Sequence, residues 1–212
     1  MNPLLCYFQA KDIPEVLDEL YQIDNLDIIC LKYMPFPIPH KRAFDYFLMN
    51  PQYTHLIIHP VDLIVKKTDI EKLLSRVSGH YVYSGVCNVD LEKYKDYLAC
   101  SYHLPSKDPQ LRRAYWISKN KNREPFRVAH VGFSLTCISR TVIEDIYKHN
   151  LPLYHKDELQ FSADLAFSYA CKQLDYPIIC DPDISMKHLR WKGKNLCGTR
   201  NQAIEFIYKS NK

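Results

Sequence analysis

Residues 53–74 read YTHLIIHPVDLIVKKTDIEKLL, and the fold follows from how that stretch divides. Residues 54–58 are an apolar run rich in β-formers, which predicts a buried strand. His59-Pro60-Val61-Asp62 breaks the run. A second short apolar run covers residues 63–65, and a helix is predicted from about Thr68. A strand that ends in a carboxylate beside a turn residue delivers that carboxylate, Asp62, to the carboxyl edge of a sheet. In open α/β sheets that edge is where ligands bind.

On the N-terminal side, residues 4–9 (LLCYFQ) predict a buried first strand. Residues 13–23 follow with helical spacing at Ile13, Val16, Leu17 and Leu20. Asp12 is placed to cap that helix, and Pro14 suits its first turn. Residues 26–33 predict a second strand. A βαβ opening of this kind implies a parallel sheet with a right-handed crossover. Residues 34–40 (MPFPIPH) carry Pro at alternate positions and predict a stiff extended loop. Residues 41–49 predict a helix with Ala43, Phe44, Phe47 and Leu48 inward. Lys41 and Arg42 stand at its N-terminal edge, where cations oppose the helix dipole.

On the C-terminal side, residues 81–89 predict a strand with Gly85 at a bend or a close backbone approach. Residues 90–102 read as helical, and residues 104–127 as a polar, basic surface excursion. A strand over 129–139, with Gly132 near its start, leads into a helix over 140–149. Residues 151–157 read as a loop and 158–174 as a helix. Short strands are expected at 176–180 and 184–189, either side of Asp181-Pro182-Asp183. Residues 190–200 are basic and irregular, and 202–208 read as a terminal helix.

The 212 residues suit one α/β domain, with 47% hydrophobic and 25% charged residues, enough to bury a sizeable core. A formal charge of +4 calls for no nucleic acid. The local basic stretches at 107–127 and 187–200 fit either an anionic substrate or solvated loops. Glycine is scarce, with 5 residues, and neither GxGxxG nor GxxxxGK[ST] occurs, which excludes a Gly-rich phosphate loop. The 8 cysteines show no CxxC spacing, which excludes a zinc ribbon or a thioredoxin motif. Most lie in apolar runs and read as small core hydrophobes. With no basic leader and no apolar run near ~20 residues, a soluble cytoplasmic protein without a membrane span is expected.

Four segments, in this order, resemble the GT-A family of nucleotide-sugar-dependent glycosyltransferases. LIIHPVDLIV followed by KTDIEKLL resembles the strand ending in the Asp-x-Asp motif and the helix after it; Asp62 matches the second Asp and Pro60 stands at the first. YSGVCNVD, at 83–90, resembles the stretch that follows. HVGFSLTCISRTVIEDI resembles the strand and helix preceding the acceptor site. ADLAFSYACKQLDYPIICDPDISMKHL resembles the acidic residue opening a helix, a turn, a strand, Asp-Pro-Asp and a terminal His. The likeness runs from Leu4 to about His188. It implies a single GT-A-like, Rossmann-like α/β domain over residues 1–212, with a mixed, mainly parallel sheet flanked by helices. A donor half would span about 1–103 and an acceptor half about 104–212. Such small enzymes resemble ones encoded by some large or archaeal viruses, which would put the protein in a host cytoplasm.

The implied chemistry is transfer of a sugar from a nucleotide-diphosphate sugar to an acceptor hydroxyl on a glycan, a protein or a lipid-linked molecule. The diphosphate leaves only if its charge is neutralised, by a divalent cation on hard ligands or by Lys and Arg. The resemblance implies Asp62 and His188 as metal ligands for Mn2+ or Mg2+, although Pro60 cannot ligate; His59 or basic residues are the alternatives. For Asp62 and His188 a turn cap and a single hydrogen bond are the plainer roles. Asp164 is implied as the catalytic base of an inverting enzyme; its plainer role is to complement the helix dipole. Asp157 and Glu158 stand nearby. Gln9 and Lys11 fall where the nucleoside binds, with Arg42 in reach of the donor. Arg190, Lys192 and Lys194 are implied to cover the diphosphate, with Trp191 over the site. The other class of reading is a catalytically inactive GT-A-like domain that binds a nucleotide or a protein.

Overall fold

A computed structural model of the chain describes residues 1–9, 20, 22–23, 26–32, 38–60, 63–79, 81–87, 97–104, 116–118, 124–151, 163–188 and 204–208. β1 (Pro3–Gln9) and β2 (Asp27–Lys32) pair in parallel. After α1 (Ile38–Met49) comes β3 (His55–His59), in parallel with the other side of β1. β4 (Leu63–Ile64), α2 (Lys67–Arg76) and β5 (Val82–Cys87) follow. Then come β6 (Tyr97–Ser101), β7 (Trp116–Ser118), β8 (Phe126–Val128), β9 (His130–Val131) and β10 (Thr136–Ser139). α3 (Arg140–Lys148), α4 (Ala163–Gln173), β11 (Ile178–His188) and β12 (Ile204–Tyr208) complete the order.

The main sheet has nine strands in the order β12-β2-β1-β3-β10-β5-β11-β4, with β8 also on β11; β7-β6-β9 form a second, three-stranded sheet. β10 runs antiparallel to both β3 and β5, and β11 is parallel to β5. Hence β1, β2, β3, β5 and β11 all end at one carboxyl edge. The fold is α/β with a mixed, mainly parallel sheet flanked by helices, as the sequence implied.

Alternation along the strands builds a core on each face. In β1, Leu4, Cys6 and Phe8 join Phe44, Phe47, Val142 and Phe167 under α1, α3 and α4. Leu5 and Tyr7 point the other way, toward Ile70 and Leu73 of α2. Each large apolar side chain buried in this way contributes about 1.5–3 kcal/mol. The inward face expected for α1 holds, since Ala43, Phe44 and Phe47 are fully buried. Gly85 also meets its expectation, because a Cβ there would lie 2.7 Å from the Ile184 carbonyl oxygen.

Several expectations give way. α1 starts at Ile38, so the end of the Pro-rich stretch is helix, not loop. Pro39 is tolerated there because first-turn N–H groups have no helical acceptor. Residues 97–101 are strand β6, not helix, held by β7 and β9; residues 88–96 lie outside the described set. The strand expected over 129–139 is split into β9 and β10. The two strands expected around Asp181-Pro182-Asp183 are one, β11, with a register shift between Cys180 and Ser185; a bulge is where a strand accepts Pro. Residues 204–208 are strand, not helix, and pair from Ile204↔Lys32 to Tyr208↔Ile28. The open side of β2 offers backbone partners that override local helical tendency.

Candidate functional site

Two helices bring side chains to the carboxyl edge. α1 follows β2, so its first turn, with His40, starts there. α4 is followed closely by β11, so its last turn lies at the amino edge. Its 11 residues, at about 1.5 Å each, carry Asp164 in the first turn back toward the carboxyl edge.

Asp164 is held by both oxygens. Oδ1 accepts the Leu165 N–H at 2.9 Å. Oδ2 lies 3.5 Å from Nε2 of His130, with 21% of the Asp164 side chain and 12% of the His130 side chain exposed. His40 is buried, its ring edge-on to Phe8 at 4.5 Å and stacked on Phe133 at 5.4 Å. Burial lowers the His40 pKa to about 4, opposed by the Asp164 charge, so His40 is neutral at pH 7.

The chain beside this pair is strained. Phe133 and Leu135 have φ of 49° and 54°, a left-handed conformation that non-glycine residues seldom adopt and that clusters at functional sites. Both are buried. Phe133 packs on Phe167 at 5.3 Å, and the Leu135 carbonyl accepts the Gly85 N–H at 3.2 Å. Ser84 Oγ donates to the Ser134 carbonyl at 3.3 Å. Gly132 allows β9 to approach β6, since a Cβ would sit 3.1 Å from the Ala99 carbonyl oxygen and 3.7 Å from Asp164 Oδ2.

The other sequence candidates divide. Asp62, Lys11, Arg190, Lys192 and Lys194 lie outside the described residues, as do Asp12, Asp157, Glu158 and Trp191. Gln9 ends β1 and His188 ends β11, both at the carboxyl edge. His188 pairs with Leu63, the residue after Asp62, so the register sets the two implied ligand segments side by side. Ile204 pairs with Lys32 at the same edge. The described anchors on either side of the basic tail are therefore both there, on opposite flanks of the sheet. Arg42 is exposed on the first turns of α1, near His40. Asp45 is engaged by Lys41 and by the Tyr147 hydroxyl at 2.9 Å. His59 is fully buried, its ring edge-on to Tyr7 at 4.8 Å, so its imidazole belongs to the core. Among the described residues no group of three or more His, Cys, Asp or Glu side chains is placed to hold a metal ion.

Asp181, part of the Asp-Pro-Asp stretch, has a different setting. It is 0% exposed and accepts Tyr83 Oη–H at 2.7 Å, Arg76 Nη1–H at 2.7 Å and the Asp183 N–H at 2.9 Å. Arg76 also reaches Asp183 at 3.3 Å. This network ties α2 to β5 and β11. Burial and the Asp181 contact push the Tyr83 hydroxyl well above its usual range. The seven described cysteines are buried thiols without a disulfide, and burial alone raises the Cys137 thiol. A cleft of about 520 Å³ between Tyr102, Arg127, Lys172 and Tyr176 lies by Ile178 at the amino end of β11, away from this edge.

Sequence reasoning missed His130, His40 and the left-handed pair. A lone His beside a β-strand carries no signal of a partner on a distant helix, and nothing local marks Phe133 or Leu135 for positive φ.

No protein-family model matches the chain, and no curated protein matches it by sequence. Solved structures do match. A197 from STIV is 17% identical, with a TM-score of 0.54 over 90% of this chain and 83% of that one. GalNAc-T7, solved with UDP, GalNAc and Mn2+, is 11% identical, with a TM-score of 0.51 over 92% of this chain and 45% of that one. At these identities the likeness is one of fold, and the chain has the GT-A-like glycosyltransferase fold.

Proposed function

We propose that the protein is a glycosyltransferase that moves a sugar from a nucleoside-diphosphate donor to an acceptor hydroxyl. The observation that carries this reading is Asp164: a partly exposed carboxylate, held by both oxygens, at the ligand-binding edge of a GT-A-like sheet. In the proposed reaction the acceptor O–H proton passes to Asp164, and the acceptor oxygen attacks the anomeric carbon. The bond from that carbon to the diphosphate breaks, and its electron pair leaves with the diphosphate. This is the inverting course.

Charge on the leaving diphosphate falls to Arg42 and to Arg190, Lys192 and Lys194, whose flanking residues His188 and Ile204 both lie at the carboxyl edge. Gln9 and Lys11 follow the end of β1 and are proposed for the nucleoside. Asp62 and His188 are proposed to hold a divalent cation, Mn2+ or Mg2+. The donor set is one carboxylate and one imidazole, on neighbouring segments through the His188–Leu63 pairing. Such a mixed set suits Mn2+, and a bound cation would supply further neutralisation of the diphosphate. Among the described residues no helix is long and apolar enough to cross a membrane, and the acceptor is proposed to be a hydroxyl of a glycan, a protein or a lipid-linked molecule. A viral origin and a host-cytoplasmic setting are likewise proposals, for which the likeness in fold to A197 from STIV is the support.

The test is a panel of UDP-, GDP- and dTDP-sugars with and without Mn2+, read by thermal shift and by release of free nucleoside diphosphate. A donor that raises the melting temperature and is turned over supports the reading. A panel with neither response removes it. Pro60, in place of a first Asp, favours a second reading, a nucleotide-binding domain without activity. That reading predicts the thermal shift without release.

A further inference from the structure

We propose that His130 is a positioning residue for Asp164: its Nε2–H donates to Oδ2 and fixes the plane of the carboxylate that receives the acceptor proton. This rests on the transferase reading above, but its first observation is independent of any substrate. The imidazole nitrogen and the carboxylate oxygen stand 3.5 Å apart on two different elements, β9 and α4, both largely shielded from water. A pair of this kind is weakly screened, unlike an exposed ion pair.

The backbone around His130 is fixed on both sides. The Ala129 N–H donates to the Ser101 carbonyl at 2.9 Å, and the Gly132 N–H donates to the Ala99 carbonyl at 2.9 Å. His130 itself is in register with Ser101 of β6. The ring therefore hangs from a segment pinned to the small sheet, while Asp164 rides on the first turn of α4. Oδ1 accepts the Leu165 N–H on its own helix, and His130 meets Oδ2 from a different element. His40 of α1 is another titratable group near Asp164, and its burial keeps it neutral at pH 7. His130 itself exchanges no proton with substrate: the acceptor O–H bond breaks toward Asp164, and His130 keeps its Nε2–H throughout. A residue that orients a reacting group governs rate more than substrate affinity.

The experiment has two arms on the full chain. The first needs no activity. In protein labelled with 15N at imidazole, the His130 resonances, assigned from a His130→Gln sample, report the Nε2–H tautomer. Asp164→Asn shifts them, and resonances unchanged by that substitution overturn the pairing. The second arm uses whichever donor the panel identifies. His130→Ala lowers kcat by roughly 10- to 100-fold, the usual cost of losing a group that orients another, with KM for the donor within about twofold. His130→Gln, which keeps an N–H donor, restores most of the rate. Equal losses in both variants, a raised KM alone, or loss only in step with a lowered melting temperature would mark His130 as a packing residue and overturn the proposal. A wild-type protein that turns over no donor removes the transferase reading and leaves the pairing to be decided by the first arm.

Discussion

Asp164 and Asp181 lie on neighbouring elements, and the fold treats them in opposite ways. Asp181 is fully buried and accepts from a tyrosine, an arginine and a backbone N–H. Asp164 keeps 21% of its side chain in water, with one short backbone contact and one imidazole at 3.5 Å. A fully buried carboxylate with three donors on it ties elements of the fold together. Asp164 instead is partly exposed and stands beside the left-handed backbone of Phe133 and Leu135. The contrast suits an architectural role for Asp181 and the base role proposed for Asp164, although both stand in the stretch that carries the strongest family likeness.

The sharpest way to break that contrast is to neutralise each in turn. Asp164→Asn is expected to lower transfer by roughly 10²- to 10⁴-fold, with donor-induced thermal shift intact and urea stability within about 0.5 kcal/mol of wild type. Unchanged turnover, measured as nucleoside diphosphate released, would take Asp164 out of the base role. Asp181→Ala should do the reverse. It leaves the Tyr83 hydroxyl and the Asp183 N–H without their acceptor and costs about 3 kcal/mol in urea unfolding. A loss of turnover in Asp181→Ala larger than its fraction unfolded would contradict the assignment.

His40 sharpens the picture through pH. Its folded pKa of about 4 lies below the ordinary 6.5. Between those values the unfolded chain binds a proton that the folded chain does not, so stability rises with pH across that window. The contribution is fully present above about pH 6.5 and lost as pH falls toward 4. It amounts to roughly 3 kcal/mol at one pKa unit per 1.36 kcal/mol. Urea midpoints measured from pH 4 to 7 should show this slope, and His40→Phe should flatten it. The smallest effect is expected at Gly85→Ala. There the added methyl meets the Ile184 carbonyl oxygen at 2.7 Å and must force β5 and β11 apart, at about 1–2 kcal/mol. A neutral outcome in thermal unfolding would mean the bulge in β11 yields more easily than its contacts imply.

Elements governed by local pattern were legible in the sequence. β1, β2 and β3 are continuous apolar runs because both faces are buried, and the inward residues of α1 repeat with helical spacing. Elements governed by distant partners were not. β12 becomes a strand because β2 offers an open side, and β6 because β7 and β9 flank it. The alternation of Ile204, Phe206 and Tyr208 was present but short enough to pass as a helix turn. Asp164 was singled out through the family resemblance, while its place at the front of a helix pointed only to the plainer dipole role. His130 could not be singled out, because its role exists only where β9 meets α4. Asp62, expected after a strand, stands outside the described residues, while the His188–Leu63 register depends on pairing that no local pattern encodes.

The pairing of β12 with β2 has a consequence for how the molecule behaves among its own copies. β2 carries Ile28, Ile29, Cys30 and Leu31, all buried, and β12 covers its outer side from Ile204 to Tyr208. An uncovered strand of that composition is a template for another chain's backbone. The last strand therefore occupies the row of hydrogen-bonding groups on β2 and moves the sheet's free edge away from that apolar run, to β12 itself.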